Sequence, residues 1–184
     1  MSRVNLIDPA TATGAAAEQL TATRTTMGVV PNMAKALANS PAALRGFLGM
    51  FGALKAGVLS APDQERIALA VAEANGCSYC LSAHSAVSRN VVKLDEAEIQ
   101  AARRGESADA RSAAILRLTL AVVERRGHID DAEFEAARSA GLSDEEIVEV
   151  VANVARNIFT NYVNEALGVD VEWPLVTPLS AVTA

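Results

Sequence analysis

The sequence predicts an all-α fold, and three observations carry that expectation. Alanine is abundant and aromatic residues make up only 4% of the chain; alanine has the highest intrinsic helix propensity, and its small side chain lets helices approach closely. The six prolines stand at 9, 31, 41, 62, 174 and 178, which leaves 63–173 free of a residue that breaks helix interiors and sheet ladders alike. Within that stretch apolar residues recur at helical spacing, and no segment sustains the two-residue alternation of a half-buried strand.

The elements follow in order. Ala15 to Thr26 reads as a first helix, stopped by Gly28-Val29-Val30-Pro31, and a short helical piece runs from Asn32 to Ala38. Ser40-Pro41 opens a helix with proline in its first turn, continuing through Leu44, Phe47, Leu48 and Phe51. Ser60-Ala61-Pro62-Asp63 is a second start of that kind, with Ser60 as N-cap. Ile67, Leu69, Ala70 and Val71 carry this helix to the stop signal Asn75-Gly76. The next helix begins at Cys77 or Ser78 and continues to about Asn90. Asp95 caps a short helix to Arg104, closed by Gly105, and Ala108 to Arg126 forms a longer one with Ile115, Leu116, Leu118 and Val122 as its stripe. Asp130 caps a helix through Ala140, closed by Gly141. Ser143-Asp144-Glu145-Glu146 has capping-box spacing, and the helix it opens reaches Leu167 before Gly168. The tail after Trp173 is irregular and either packs on a neighbour or frays.

The last helix carries Asn153, Asn157, Asn161 and Asn164 at spacings of four, four and three, hence on one stripe. Most of its other positions are apolar, including Ile147, Val150, Val151, Val154, Ile158, Phe159 and Val163. Two readings stay open: one wet face, or an amide ladder between helices or subunits, since buried amides need partners.

A chain of 184 residues that is 51% hydrophobic and 21% charged can build the core of a single domain. No low-complexity linker or internal repeat divides it. The net charge of −6 and pI of about 5.0 give nucleic acid or an anionic membrane no attraction. No apolar run approaches the roughly 20 residues that cross a bilayer, and Met1 to Pro9 lacks the apolar core of a signal peptide. The expected compartment is the cytoplasm. There, two cysteines three positions apart read as a redox or metal pair before a structural staple. The apolar excess is large for so short a chain, which points to a homo-oligomer.

The chemistry concentrates between Glu65 and His84. Cys77 and Cys80 are the only cysteines, and His84 is one of two histidines. On a helix starting near Cys77, at about 100° per residue, these three side chains lie within roughly 60° of one another. The helix N-terminus offers partial positive charge to an anion, and His84 can accept or share a thiol proton. Cys-x-x-Cys spacing goes with lowered thiol pKa and lets the sulfurs meet. A thiolate at neutral pH is what peroxide reduction or disulfide exchange needs. Other readings weigh against this one. The three residues could simply fill a core. Zinc would find three ligands, with only His128 left for a fourth. Covalent haem attachment needs His directly after the second Cys, where Leu81 stands. A purely structural disulfide conflicts with a reducing compartment.

A glutamate, then Cys-x-x-Cys beginning twelve residues later, then His four residues after the second Cys lands on Glu65, Cys77, Cys80 and His84. Here the sequence resembles the alkylhydroperoxidase D-like, carboxymuconolactone decarboxylase-like family, particularly its uncharacterised peroxidase-related branch. The resemblance runs from about residue 40 to 173 and includes Asn157-Ile-Phe-Thr-Asn-Tyr162 and Val171-Glu-Trp-Pro174. It implies an AhpD-like helical bundle with a core over about 40–173, N-terminal helices over 13–39 packing on it, and assembly into trimers or hexamers. It also implies a peroxiredoxin-type hydroperoxide reductase of antioxidant defence. Cys80 would attack and become a sulfenic acid, Cys77 would resolve it, and Glu65 and His84 would relay protons. No bound cofactor is implied, only an external dithiol or thioredoxin-like reductant. Glu73 is a rival carboxylate, about 80° around the helix from Glu65 and better read as a surface or capping charge. Tyr79 stands where some relatives have His and serves equally as an aromatic anchor; His128 sits in a turn, solvated. The alternatives are a lactone decarboxylase-like enzyme, whose relatives generally lack the cysteine pair, and a non-catalytic thiol redox sensor.

Overall fold

A computed structural model of the chain describes residues 1–179, and among these it has nine α-helices and no strand. In chain order they are α1 (Gly14–Met27), α2 (Asn32–Leu37), α3 (Pro41–Lys55), α4 (Ala61–Ala74) and α5 (Ser78–Val87), then α6 (Glu96–Arg103), α7 (Ala110–Glu124), α8 (Asp131–Ser139) and α9 (Asp144–Leu167). The all-α expectation holds, and the boundaries fall where local chemistry puts them. Ser40, Ser60, Asp95, Asp109 and Asp130 each accept a hydrogen bond from the backbone N–H three residues on, at 2.7–3.3 Å, and Ser143 with Glu146 closes the capping box. Each of these caps satisfies an N–H that has no partner inside its helix.

The central element is α4. Its six consecutive residues from Ile67 to Ala72 are fully buried, as for a helix surrounded on all sides. One face meets α7, α8 and α9 through Ile67 and Val71, packed with Ile115, Leu118, Val150 and Val154. Another meets α6 and α7 through Leu69 and Ala70, packed with Ile99 and Leu116. At its C-terminal end Ala72 joins a third cluster with Leu20 of α1, Met33 and Leu37 of α2, Leu44 and Phe47 of α3, and Tyr79 and Leu81 of α5. The N-terminal helices α1 and α2 thus share a core with α3 and α5. Charged groups tie the same helices together: Arg66 of α4 pairs with Glu98 of α6 at 2.7 Å, and Ser112 of α7 donates to Asp63 at 3.0 Å. The approach to α4 is held by Glu149 of α9, whose carboxylate accepts the N–H groups of Val58 and Leu59 at 2.9 and 3.0 Å. A Cβ on Gly57 would collide with that carboxylate.

Three sequence expectations change. The fifth helix stops as α-helix at Val87 and opens into a π-helical turn, Ser88–Val92, ended by Lys93 at φ +68°. Such a turn shows in no apolar period. The seventh starts at Ala110 because Asp109 caps it. The tail is irregular, but as far as residue 179 it packs on its own chain: Val176 N–H donates to Ser82 Oγ at 2.9 Å, Arg103 to Thr177 O at 2.8 Å, and Leu179 N–H to Glu73 at 2.6 Å. The last five residues lie outside the described part. No helix among the described residues is long and apolar enough to cross a membrane.

On α9 the asparagines resolve against the wet face. Asn153, Asn157, Asn161 and Asn164 are all buried, each at most 2% exposed. Asn75 donates to Asn161 Oδ1 at 2.9 Å, and Asn164 donates to the Cys80 sulfur at 3.2 Å, so two of the four bridge helices. The other two turn back on the α9 backbone, Asn153 to Glu149 O and Asn157 to Asn153 O. The opposite side of the helix exposes Val148, Val151, Ala155, Phe159 and Tyr162, which recur at helical spacing.

Candidate active site

Gly76, at φ +68°, turns the chain from the end of α4 into α5, a conformation that a side chain disfavours. The next residue, Cys77, is itself the N-cap of α5, its sulfur accepting the Cys80 N–H at 3.3 Å. Capping brings the two free thiols together: Cys77 Sγ donates to Cys80 Sγ at 2.7 Å. Both are almost wholly buried. One turn later, His84 Nδ1 stands 2.9 Å from Glu65 Oε2 on α4. The four residues singled out in the sequence are therefore gathered at one place by the α4–α5 corner.

The electrostatics separate the two thiols. The hydrogen bond from Cys77 holds Cys80 below the usual thiol range; burial opposes this, while the His84 charge and the Asn164 and Asn161 amides support it. Cys77 is driven far above that range by sharing its proton with Cys80, by burial and by the Cys80 charge. For His84, burial favours the neutral ring, but the charge and hydrogen bond of Glu65 outweigh it and raise the pKa, with Cys80 adding to the effect. One thiol, Cys80, is thus biased towards its anion, beside an imidazole biased towards its cationic form.

Cys80, His84 and Glu65 line a cavity of about 290 Å³. Its walls are largely apolar: Met27 of α1, Phe47 and Phe51 of α3, Val87 of α5 and Val91 and Val92 of the π turn. The turn thus contributes directly to the site. Cys77 does not line the cavity and lies in the core behind Cys80. Glu73 faces away, paired with Arg103 at 2.8 Å. Tyr79 is an anchor, accepting the Met33 N–H at 3.1 Å and donating to Glu172 at 2.8 Å; burial raises its pKa above the ordinary tyrosine value. His128 is exposed in its turn. Among the described residues, no three His, Cys, Asp or Glu side chains are grouped to share a metal ion.

Among the cavity residues that sequence reasoning did not single out are Arg156 and Trp173. Arg156 is the only cation on α9, a signal that was there to be read. Trp173 is the chain's single tryptophan, but its position depends on how the tail folds back, and no local pattern encodes that.

The comparisons with known proteins follow this geometry. Residues 41–124 match the carboxymuconolactone decarboxylase family model, a stretch that contains Glu65, Cys77, Cys80 and His84. No curated protein matches. Among solved structures, the chain is similar to an AhpD-core, uncharacterised peroxidase-related protein from Ralstonia eutropha JMP134, at 27% identity and a TM-score of 0.81 over 93% of this chain and 92% of that one. It is similar to a second uncharacterised peroxidase-related protein, from Silicibacter sp. TM1040, at 27% identity and a TM-score of 0.78 over 92% and 91%. It shares its fold with a Cys→Ala variant of the debrominase Bmp8 in complex with 2,3,4-tribromopyrrole, at 22% identity and a TM-score of 0.75 over 94% of each chain. The helical architecture, the match over α3–α7 and the likeness along nearly the whole chain agree: the chain is similar to AhpD-like, carboxymuconolactone decarboxylase-like proteins.

Proposed function

We propose that the protein is a thiol-dependent hydroperoxide reductase with Cys80 as its nucleophile. One observation carries this reading: the thiol biased towards its anion faces an apolar cavity, with a second thiol 2.7 Å behind it and the Glu65–His84 pair beside it. The likeness to solved proteins named peroxidase-related supports it. In the first step the Cys80 thiolate attacks the outer oxygen of ROOH. An S–O bond forms, the O–O bond breaks, and RO⁻ leaves as the alcohol after taking the proton of the His84 imidazolium. Cys80 is now a sulfenic acid; the Cys77 thiol displaces water from it, forming the Cys77–Cys80 disulfide. An external dithiol, thioredoxin-like in type, reduces that bond and is itself oxidised. The proton released by the regenerated Cys80 returns to His84, which Glu65 orients and keeps basic.

The buried position of Cys77 suits a resolving rather than an attacking thiol, since substrate reaches the site by way of the cavity. The cysteine pair also argues against a decarboxylase reading, which has no use for two adjacent thiols. Turnover of cumene hydroperoxide with dithiothreitol as reductant tests the assignment. Cys80→Ser should abolish it, and Cys77→Ser should leave a sulfenic acid that dimedone traps at Cys80. Full activity in both variants would end the reading. Glu65→Gln should lower kcat by about a hundredfold or more, the scale for losing a positioned proton-transfer group.

We extend the same reading to assembly and compartment. The exposed apolar stripe of α9 fits a second copy of the chain, and the expected trimer or hexamer would bury it. A reducing cytoplasm would keep the thiols in the free state described.

A further inference from the structure

Arg156 is 4% exposed, yet among the described residues its guanidinium makes no hydrogen bond and no ion pair; what it meets is the face of Phe51, 5.4 Å from the ring centroid. Buried Arg103 and half-buried Arg66 are treated differently, Arg103 bonding Glu73 and Arg66 bonding Glu98 and Asp63. A guanidinium offers five N–H donors in one plane, and burying an ion is unfavourable unless it is paired and hydrogen-bonded. Arg156 faces the cavity, so its missing acceptor belongs there.

The charges around the cavity point to the sign of that acceptor. Lys55 and Arg156 are cations, and Glu65 is the only carboxylate in the lining, already bonded to His84. A thiolate on Cys80 and an imidazolium on His84 cancel. One positive charge is left over, in a chain whose net charge is −6. A monoanion entering the cavity balances it, and the geometry that suits a planar guanidinium best is a bidentate carboxylate.

We propose that Arg156 recognises a carboxylate on the substrate, which makes the preferred substrate a hydroperoxide of an aliphatic acid. Its chain lies against Phe47, Phe51, Val87 and Val91 while its acid group sits on Arg156. The peroxide half of this statement rests on the function proposed above; the acid half rests on Arg156 alone. Arg156 is a specificity residue and takes no part in breaking the O–O bond.

Binding and turnover separate the two halves. Trp173 lines the cavity and is the only tryptophan, so its fluorescence reports occupancy by molecules that cannot react. Octanoate should bind the wild type about tenfold or more tighter than octanol, the scale of one charge-assisted contact. Arg156→Gln should erase that difference and Arg156→Lys should restore part of it. Equal binding of octanoate and octanol by the wild type overturns the proposal without need of any variant that might misfold. In turnover, a fatty-acid hydroperoxide should be preferred to its methyl ester by about tenfold in kcat/KM, the same single contact again, and Arg156→Gln should bring the ratio near one. Loss of rate on acid and ester alike, with the ratio unchanged, also overturns it. If no hydroperoxide is turned over while octanoate still outbinds octanol, the peroxidase reading falls and the carboxylate site stands.

Discussion

At Cys80 four neighbours favour the thiolate: the Cys77 thiol, the His84 imidazole and the Asn164 and Asn161 amides, Asn164 being bonded to sulfur at 3.2 Å. They predict an alkylation profile. The rate of Cys80 carbamidomethylation by iodoacetamide, followed in Cys77→Ala protein, rises through a midpoint that Cys77→Ala itself moves upward by removing one donor. Adding His84→Ala removes a cation that favours the anion, so the midpoint moves further up, and Asn164→Ala acts in the same direction. A midpoint that falls or stays fixed in His84→Ala contradicts the assignment. Glu65 acts one step further out. Glu65→Gln removes the carboxylate that raises the His84 pKa, so the imidazole titration, read by NMR with exposed His128 as the second signal, shifts to lower pH. The sequence made Glu65, Cys77, Cys80 and His84 legible because one fixed spacing carries all four across a single corner. Asn164 was legible only as a member of a stripe. What it bonds depends on the packing of α9 against α5, which lies 84 residues away in sequence.

Element by element, α9 reverses the usual amphipathic order, since its amides face inward and several of its apolar side chains face out. Helical period alone finds such stripes but does not orient them, which is why the asparagine stripe left two readings open in the sequence. The inward stripe sets an amide donor against the Cys80 sulfur; the outward one leaves apolar side chains exposed to solvent. The same helix fixes the start of α4 through Glu149, which satisfies two N–H groups ahead of the Ser60 cap. Val58 is exposed but Leu59 is buried, and leaving one buried donor unpaired typically costs about 1–3 kcal/mol. Glu149→Ala should therefore lower the urea unfolding free energy by about that amount, and thiol reactivity should rise if α4 shifts at the site. Unchanged stability would mean that water replaces the carboxylate without loss. The π turn after α5 belongs at this scale as well. It was not legible, because one extra residue in a turn leaves hydrophobic spacing almost intact while redirecting Val91 and Val92 to the cavity wall.

Across the whole molecule, the fold class was legible from proline placement and helical period, since both bear on backbone geometry that a sequence states directly. The cavity was not, because its walls come from six helices, the π turn and the tail. The assembly proposed above would bury the outward stripe of α9. Val148, 66% exposed, stands far along the helix from the site residues Arg156 and Asn164. Val148→Asp should shift the sedimentation coefficient towards that of a monomer, whereas an unchanged value would place the interface elsewhere. The all-round burial of α4 has a further consequence for the modular boundaries of the family. The stretch shared with the family model, 41–124, contains α4 but neither α8 nor α9. Excised from the chain, it would leave Ile67 and Val71 without Val150 and Val154, a bare hydrophobic flank along its own axis. The matched segment thus leaves one flank of its central helix to be covered from outside itself, and α9, which covers it, also carries Arg156 in the wall of the cavity.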